Sequence, residues 1–233
     1  KMFIICLNVR MLAYFTAILS EGIPKCQESF YYLYRHKLRY MEKKIPFAPV
    51  VMLIDATYLD RVGCDMTAHF APIVNRELPK ADLANLLECL ALDAGIQSGE
   101  NEIQVIFIYE AGKEKMNFCT PSSFGKELHN VAFKSQLGEF SLYAFQPSDM
   151  ATCEDLFLES LQLAGESKDV RRFIIVPDEE GYGKRIGDYI NKVKGKESIT
   201  VFGMNPPAYE GDYSFEMLGF PVLQSLGVRA EEL

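Results

Sequence analysis

The 233-residue sequence is poor in the residues that common catalytic and metal-binding motifs require. Its three histidines do not cluster, with His69 and His129 standing alone. Its six cysteines, Cys6, Cys26, Cys64, Cys89, Cys119 and Cys153, are scattered singly, with no C-x-x-C pair and no histidine at ligand spacing. That excludes a zinc ribbon and a dithiol redox motif. The cysteines read as free, mostly buried thiols of a chain in a reducing cytosol. Neither G-x-S-x-G nor a Walker A sequence occurs, which removes the commonest hydrolase and nucleotide-hydrolysing readings. Internal repeats and low-complexity segments are also missing.

Positive charge is scarce. Against 32 Asp and Glu stand 24 Lys and Arg, a formal net charge of −8. General adhesion to polyanions needs clustered cations that displace counterions, so nucleic acid would have to be held by a local patch. The candidate is Lys184, Arg185, Lys192, Lys194 and Lys196, opposed only by Asp188. The same residues read equally as a solvated helix face and the turn after it.

A membrane-spanning run is missing too. Met2 to Leu19 is apolar, but Arg10 splits it into Phe3–Val9 and Met11–Leu19, and a spanning helix needs about 20 predominantly apolar residues. No A-x-A cleavage site follows. Next comes an aromatic and basic cluster without clear period, Tyr31, Tyr32, Tyr34, Arg35, His36, Lys37 and Arg39. Residues 1–40 are therefore an extension of doubtful status: upstream sequence ahead of a true start at Met41, an amphipathic anchor, or an ordered helical arm. Residues 41–233 are expected to form a single cytoplasmic α/β domain that does not enter a membrane.

What is present is an alternation of strand and helix patterns. Val50–Ile54 is a continuous β-rich run ending at Asp55, as a strand buried on both faces reads. An irregular stretch through Asp65 and Pro72 is expected next. Leu83, Leu86, Leu87 and Leu90 then fall at the spacing of a core-facing helix over 79–94, closed by Gly95. Further strands are expected at 103–109, 140–145, 173–176 and 199–202. Helices are expected at 152–164, where Thr152 and Asp155 suggest a capping box, and at 183–193. Phe124, Leu128, Val131 and Ala132 share a helical face, and a last short helix is expected in the tail. Together these predict a Rossmann-like α/β fold, a mostly parallel sheet of about five strands with helices on both faces.

In such sheets ligands bind outside the carboxyl ends of the strands. Asp55, Glu110 and Asp178 stand at strand ends, with Glu179 and Glu180 following the last. Asp155 and Glu159 lie i, i+4 on the helix after the third strand, and Asp60 and Asp65 are close in sequence to Asp55. Carboxylates converging without histidine suit a hard cation such as Mg²⁺. The same acids also read as helix caps or water-facing groups. Gly181-x-Gly183-x-x-x-Gly187 follows a strand and opens a helix, but its spacing is not that of a dinucleotide-binding turn.

The arrangement resembles the NYN and PIN-like metal-dependent ribonucleases. Asp55 matches that family's first acid, Asp155 or Glu159 its helical acid, and Val176-Pro177-Asp178-Glu179-Glu180-Gly181 its late acidic motif at Asp178 and Glu180. The resemblance continues through Ile186, Ile190 and Val193 into the strand at Ile199–Phe202. Tyr58 stands where the family has an asparagine, and Val176-Pro177 where it has Ser-Gly. The resemblance implies Asp55, Asp155 and Asp178 as catalytic residues and Asp55, Asp155, Glu159, Asp178 and Glu180 as Mg²⁺ ligands. Lys184 and Arg185 would clamp an RNA substrate. In that reading Mg²⁺ would orient a water and neutralise phosphate charge. The alternative is a non-catalytic Rossmann-like interaction module that associates, with itself as a homo-oligomer, through a sheet edge or the C-terminal helix. The whole chain also resembles an uncharacterised bacterial family, which implies no mechanism.

Overall fold

The computed structural model describes residues 46–148 and 151–233. The expectations for residues 1–40 lie outside the described residues. β1 (Val50–Asp55) leads into α1 (Ala56–Ile73), and a short β2 (Ala81–Asp82) into α2 (Leu83–Asp93). β3 (Asn101–Ile108) is followed by β4 (Cys119–Thr120), a π turn at Phe124–Leu128, β5 (Val131–Ser135) and β6 (Gly138–Phe145). Then come α3 (Cys153–Glu166), β7 (Arg172–Val176), α4 (Glu179–Ile190), β8 (Ser198–Gly203), β9 (Ser214–Met217) and α5 (Gly219–Ser225).

Seven strands form one sheet in the order β5-β6-β3-β1-β7-β8-β9, while β2 and β4 pair separately. Every pairing in the large sheet is parallel except the β5–β6 hairpin. From β1 the chain steps outward to β3 and β6, then returns to the other side of β1 and steps outward through β7, β8 and β9. The topological switch point, where such folds place their ligands, therefore lies between β1 and β7.

The continuous apolar runs are explained by helices on both faces. Val50, Met52 and Ile54 belong to a core with Leu59 of α1, Leu86, Leu87 and Leu90 of α2, and Val222 of α5. Val51 and Leu53 point the other way, toward the side of α3 and α4, where Phe157, Leu161 and Ile186 are buried. Each fully buried leucine contributes about 1.5–3 kcal/mol relative to an exposed one.

Three expectations need correction. The stretch expected to be irregular is α1, with Pro72 tolerated in its last turn. Its buried Leu59, Val62 and Met66 do follow a helical period, which Gly63 and the polar residues around them obscured. The proposed helical face 124–132 is a π turn and then strand β5, so Val131 and Ala132 are exposed while Phe124 and Leu128 are buried. The sheet also exceeds five strands because β5 and β9 are short edge strands without a strong apolar run. No helix among the described residues is long and apolar enough to cross a membrane.

Candidate functional site

The switch point carries Asp55 at the end of β1 and Asp178 two residues beyond β7. Both begin helices. Asp55 is the N-cap of α1, its Oδ1 accepting the Tyr58 N–H at 2.9 Å. Asp178 is the N-cap of α4, accepting the Gly181 N–H at 3.0 Å. Asp82 caps α2 in the same way through the Asn85 N–H. Thr152 caps α3 in a reciprocal box with Asp155. A side-chain oxygen thus meets an orphan donor and the positive dipole end at each of these four helices.

Asp55 is almost wholly buried, at 3% exposure. Its second oxygen accepts the Tyr182 hydroxyl at 2.6 Å and lies 3.9 Å from the Cys153 sulfur. Tyr182 reaches it because α4 departs from helical geometry at that residue, with φ −138° and ψ 18°. Burial raises the Asp55 pKa, while the hydrogen bonds from Tyr182 and Tyr58 lower it and the Asp178 charge raises it again. Around it, burial and the Asp55 charge push up both the Tyr182 phenol and the Cys153 thiol. A thiol so disfavoured as thiolate is a poor nucleophile.

The remaining candidates are drawn off by their own partners. Arg61 of α1 bridges Asp178 at 3.2 Å and Glu180 at 3.0 Å. Asp155 completes the Thr152 capping box, and Glu159, one turn on, is exposed. Glu110 pairs with Lys113 at 3.2 Å. Asp60 accepts the backbone N–H groups of Asn117 and Phe118. Among the described residues no group of three or more His, Cys, Asp or Glu side chains is placed to hold a metal ion. Each oxygen of Asp55 meets a protein donor, and Asp178 Oδ1 faces the Arg61 guanidinium.

The basic patch is likewise dispersed. Arg185 pairs with Glu154 at 2.5 Å, and Lys192 lies over the Tyr189 ring at 5.2 Å. Lys196 turns inward to the carbonyls of Ser167 and Val170, and burial lowers its pKa. Lys184 is exposed. An open depression of about 330 Å³ between α3 and α4, lined by Gln162, Glu166, Tyr189 and Lys194, includes none of the strand-end acids.

Two residues with unusual environments were not singled out from the sequence. Tyr182 fixes Asp55, and its only signal was an aromatic residue between two glycines. Tyr209, in the connection between β8 and β9, packs onto Gly187 of α4. No curated protein and no solved structure matches the chain. A family model does match, over residues 44–233, and on that match the protein belongs to the family of unknown function DUF6621.

Proposed function

We propose that this protein is a non-catalytic Rossmann-like interaction module whose strand-end acids build the fold rather than perform chemistry. The observation that carries this reading is the engagement of Asp55 and Asp178 by backbone N–H groups, a phenol and a guanidinium, all from the protein itself. Carboxylates so held serve helix capping and packing, and a cation would have to compete with the protein's own donors for them. The proposed contact surface is the β9–α5 end, where Phe220 is 69% exposed and Met217 is also exposed. An aromatic ring held out on a helix is a suitable anchor for a protein contact.

Two measurements test this. A labelled single-stranded oligoribonucleotide incubated with the protein and Mg²⁺ or Mn²⁺ should be neither retained nor cut; metal-dependent cutting would overturn the reading. Sedimentation over a range of concentrations, parent against Phe220→Ser, should show association that the substitution weakens. Two monomeric profiles would remove self-association as the contact.

The rival reading, a divalent-cation-binding PIN-like domain acting on RNA, draws support from one observation. Asp55 and Asp178 occupy the switch point and influence each other electrostatically. In that reading Arg61 would compete with the cation at Asp178 Oδ1.

A further inference from the structure

We propose that β5 is the seat of a symmetric dimer contact: a second copy of this chain pairs its own β5 antiparallel to the first, about a two-fold axis at Phe133, so that one sheet runs across both copies. This edge lies at the opposite end of the sheet from β9 and α5, and different observations carry it.

β5 is the last strand on its side, with β6 on one flank and no strand on the other. No residue of Val131–Ser135 is buried, so no described segment closes over this edge. A bare edge offers a row of unpaired backbone groups to any strand that fits it, and proteins guard such edges with proline, covering loops or outward charge. β5 holds no proline. Its one charged side chain, Lys134, is drawn back over its own sheet toward Glu139 at 3.7 Å.

The hairpin fixes which groups point outward. Ser135 pairs with Gly138 across the turn Gln136-Leu137, and the ladder continues through Phe133 with Phe140 and Val131 with Leu142. In an antiparallel ladder closed by a two-residue turn, these alternate pairs exchange the hydrogen bonds. The Asn130 N–H, bound to the Leu142 carbonyl at 2.9 Å, ends the same set. The N–H and C=O of Ala132 and Lys134 therefore face away from β6. Asn130, at φ 62°, leaves the extended conformation and closes the available edge.

A two-fold axis at Ala132, Phe133 or Lys134 would bring these outward groups of two copies together, and the side chains choose among them. At Lys134 the axis sets two ammonium groups opposite each other, which is repulsive. At Ala132 it places Lys134 against the left-handed Asn130 and keeps a single bonded pair. At Phe133 it pairs Ala132 of each copy with Lys134 of the other, which doubles the bonded pairs and keeps the lysines off one another. Phe133 is half-buried and lies flat on Phe140, the rings 4.7 Å apart. In this register it meets Phe133 of the second copy as a non-bonded pair, where side chains stand closest, and two stacked pairs become one aromatic row. Val131, 39% exposed, lies on the same face beside that row. An edge of this length spans only about 17 Å, short of what a permanent dimer buries, so the association is concentration-dependent.

Sedimentation of the whole chain from about 1 μM to about 1 mM, in the parent, Ala132→Pro and Phe220→Ser, tests the contact. Edge strands accept proline where the N–H faces solvent, so Ala132→Pro removes an outward donor and leaves the hairpin its own bonds. The parent and Phe220→Ser should both form dimers, while Ala132→Pro should need at least about tenfold more protein. An Ala132→Pro chain that associates like the parent would overturn the β5 contact, even where Phe220→Ser weakens association and the β9–α5 contact stands. A parent monomeric throughout would overturn it as well. Cross-linking reads the register: with oxidised glutathione, Phe133→Cys should form a covalent dimer at least about tenfold faster than Val131→Cys or the parent. Position 133 meets itself at about 4.5 Å between Cα atoms, within disulfide reach, whereas position 131 meets Ser135. Equal rates, or a faster Val131→Cys, would overturn the register. Circular dichroism checks that each variant is folded, and where one substitution unfolds the chain the other arm decides.

Discussion

Two enclosed carboxyl groups sit on either side of the start of α4, and they have opposite fates. Asp55 has every oxygen met: the Tyr58 N–H on one, the Tyr182 hydroxyl on the other. Glu179 has one oxygen met by the Met204 N–H and one enclosed without a hydrogen-bond partner among the described residues. Burial raises the pKa of both, and the difference lies in the donors. A carboxylate supplied with a phenol and a backbone N–H is a fixed part of the scaffold, because its desolvation is offset by strong hydrogen bonds. One supplied on a single side has less of its desolvation offset. Burial alone therefore does not mark an acid as functional; the count of its donors does.

The largest effect separating these regions from the rest comes from the sheet beneath them. Leu86→Ala, at a wholly buried position in α2, should cost about 2–5 kcal/mol, read by urea unfolding, and should weaken both regions equally. An effect below 1 kcal/mol would mean that α2 does not pack as described. Next comes Asp55→Ala, which removes the α1 cap and leaves the buried Tyr182 hydroxyl unpaired. It should cost about 2–4 kcal/mol, whereas the isosteric loss of charge in Glu179→Gln should cost nothing at neutral pH. Equal costs at the two sites would erase the contrast.

Tyr182→Phe should cost about 1 kcal/mol at neutral pH, from the hydrogen bond it gives Asp55. That hydrogen bond lowers the Asp55 pKa, so its removal raises the value further, and the penalty should shrink in acid as Asp55 becomes protonated. A penalty that grows in acid would show that Tyr182 does not hold the ionised carboxylate. The smallest change belongs to Arg185→Ala, which breaks an exposed pair with Glu154 and should leave the urea midpoint unchanged within error.

The sheet was legible in the sequence because strands buried on both faces write continuous apolar runs, as Val50–Ile54 and Phe173–Val176 do. The capping box at Thr152 and Asp155 was legible because it is local, contained in four residues. The edge strands were not. β5 has no buried residue, and β9 is four residues long, so neither carries a period strong enough to read. Asp55 and Asp178 could be placed together at the strand ends, but their partners Tyr182 and Arg61 lie more than a hundred residues from them in sequence. Whether an acid meets a cation, a phenol or water is a tertiary property that spacing does not encode. The contact between α4 and the β8–β9 connection was hidden for a related reason: Gly187 acquires its meaning only when Tyr209 arrives from beyond β8.

Four melting curves address most directly whether the switch-point acids serve the protein's own donors: parent and Asp178→Asn, each with and without millimolar Mg²⁺. Asn can still cap α4 while losing the charge that draws Arg61, so the variant should melt within a few degrees of the parent. Mg²⁺ should shift neither protein. A cation at about 100 times its dissociation constant would add roughly 2.7 kcal/mol, or about 5–10 °C for a chain of this size. A Mg²⁺ shift of that order in the parent, abolished in Asp178→Asn, would contradict the account and restore the metal-dependent reading.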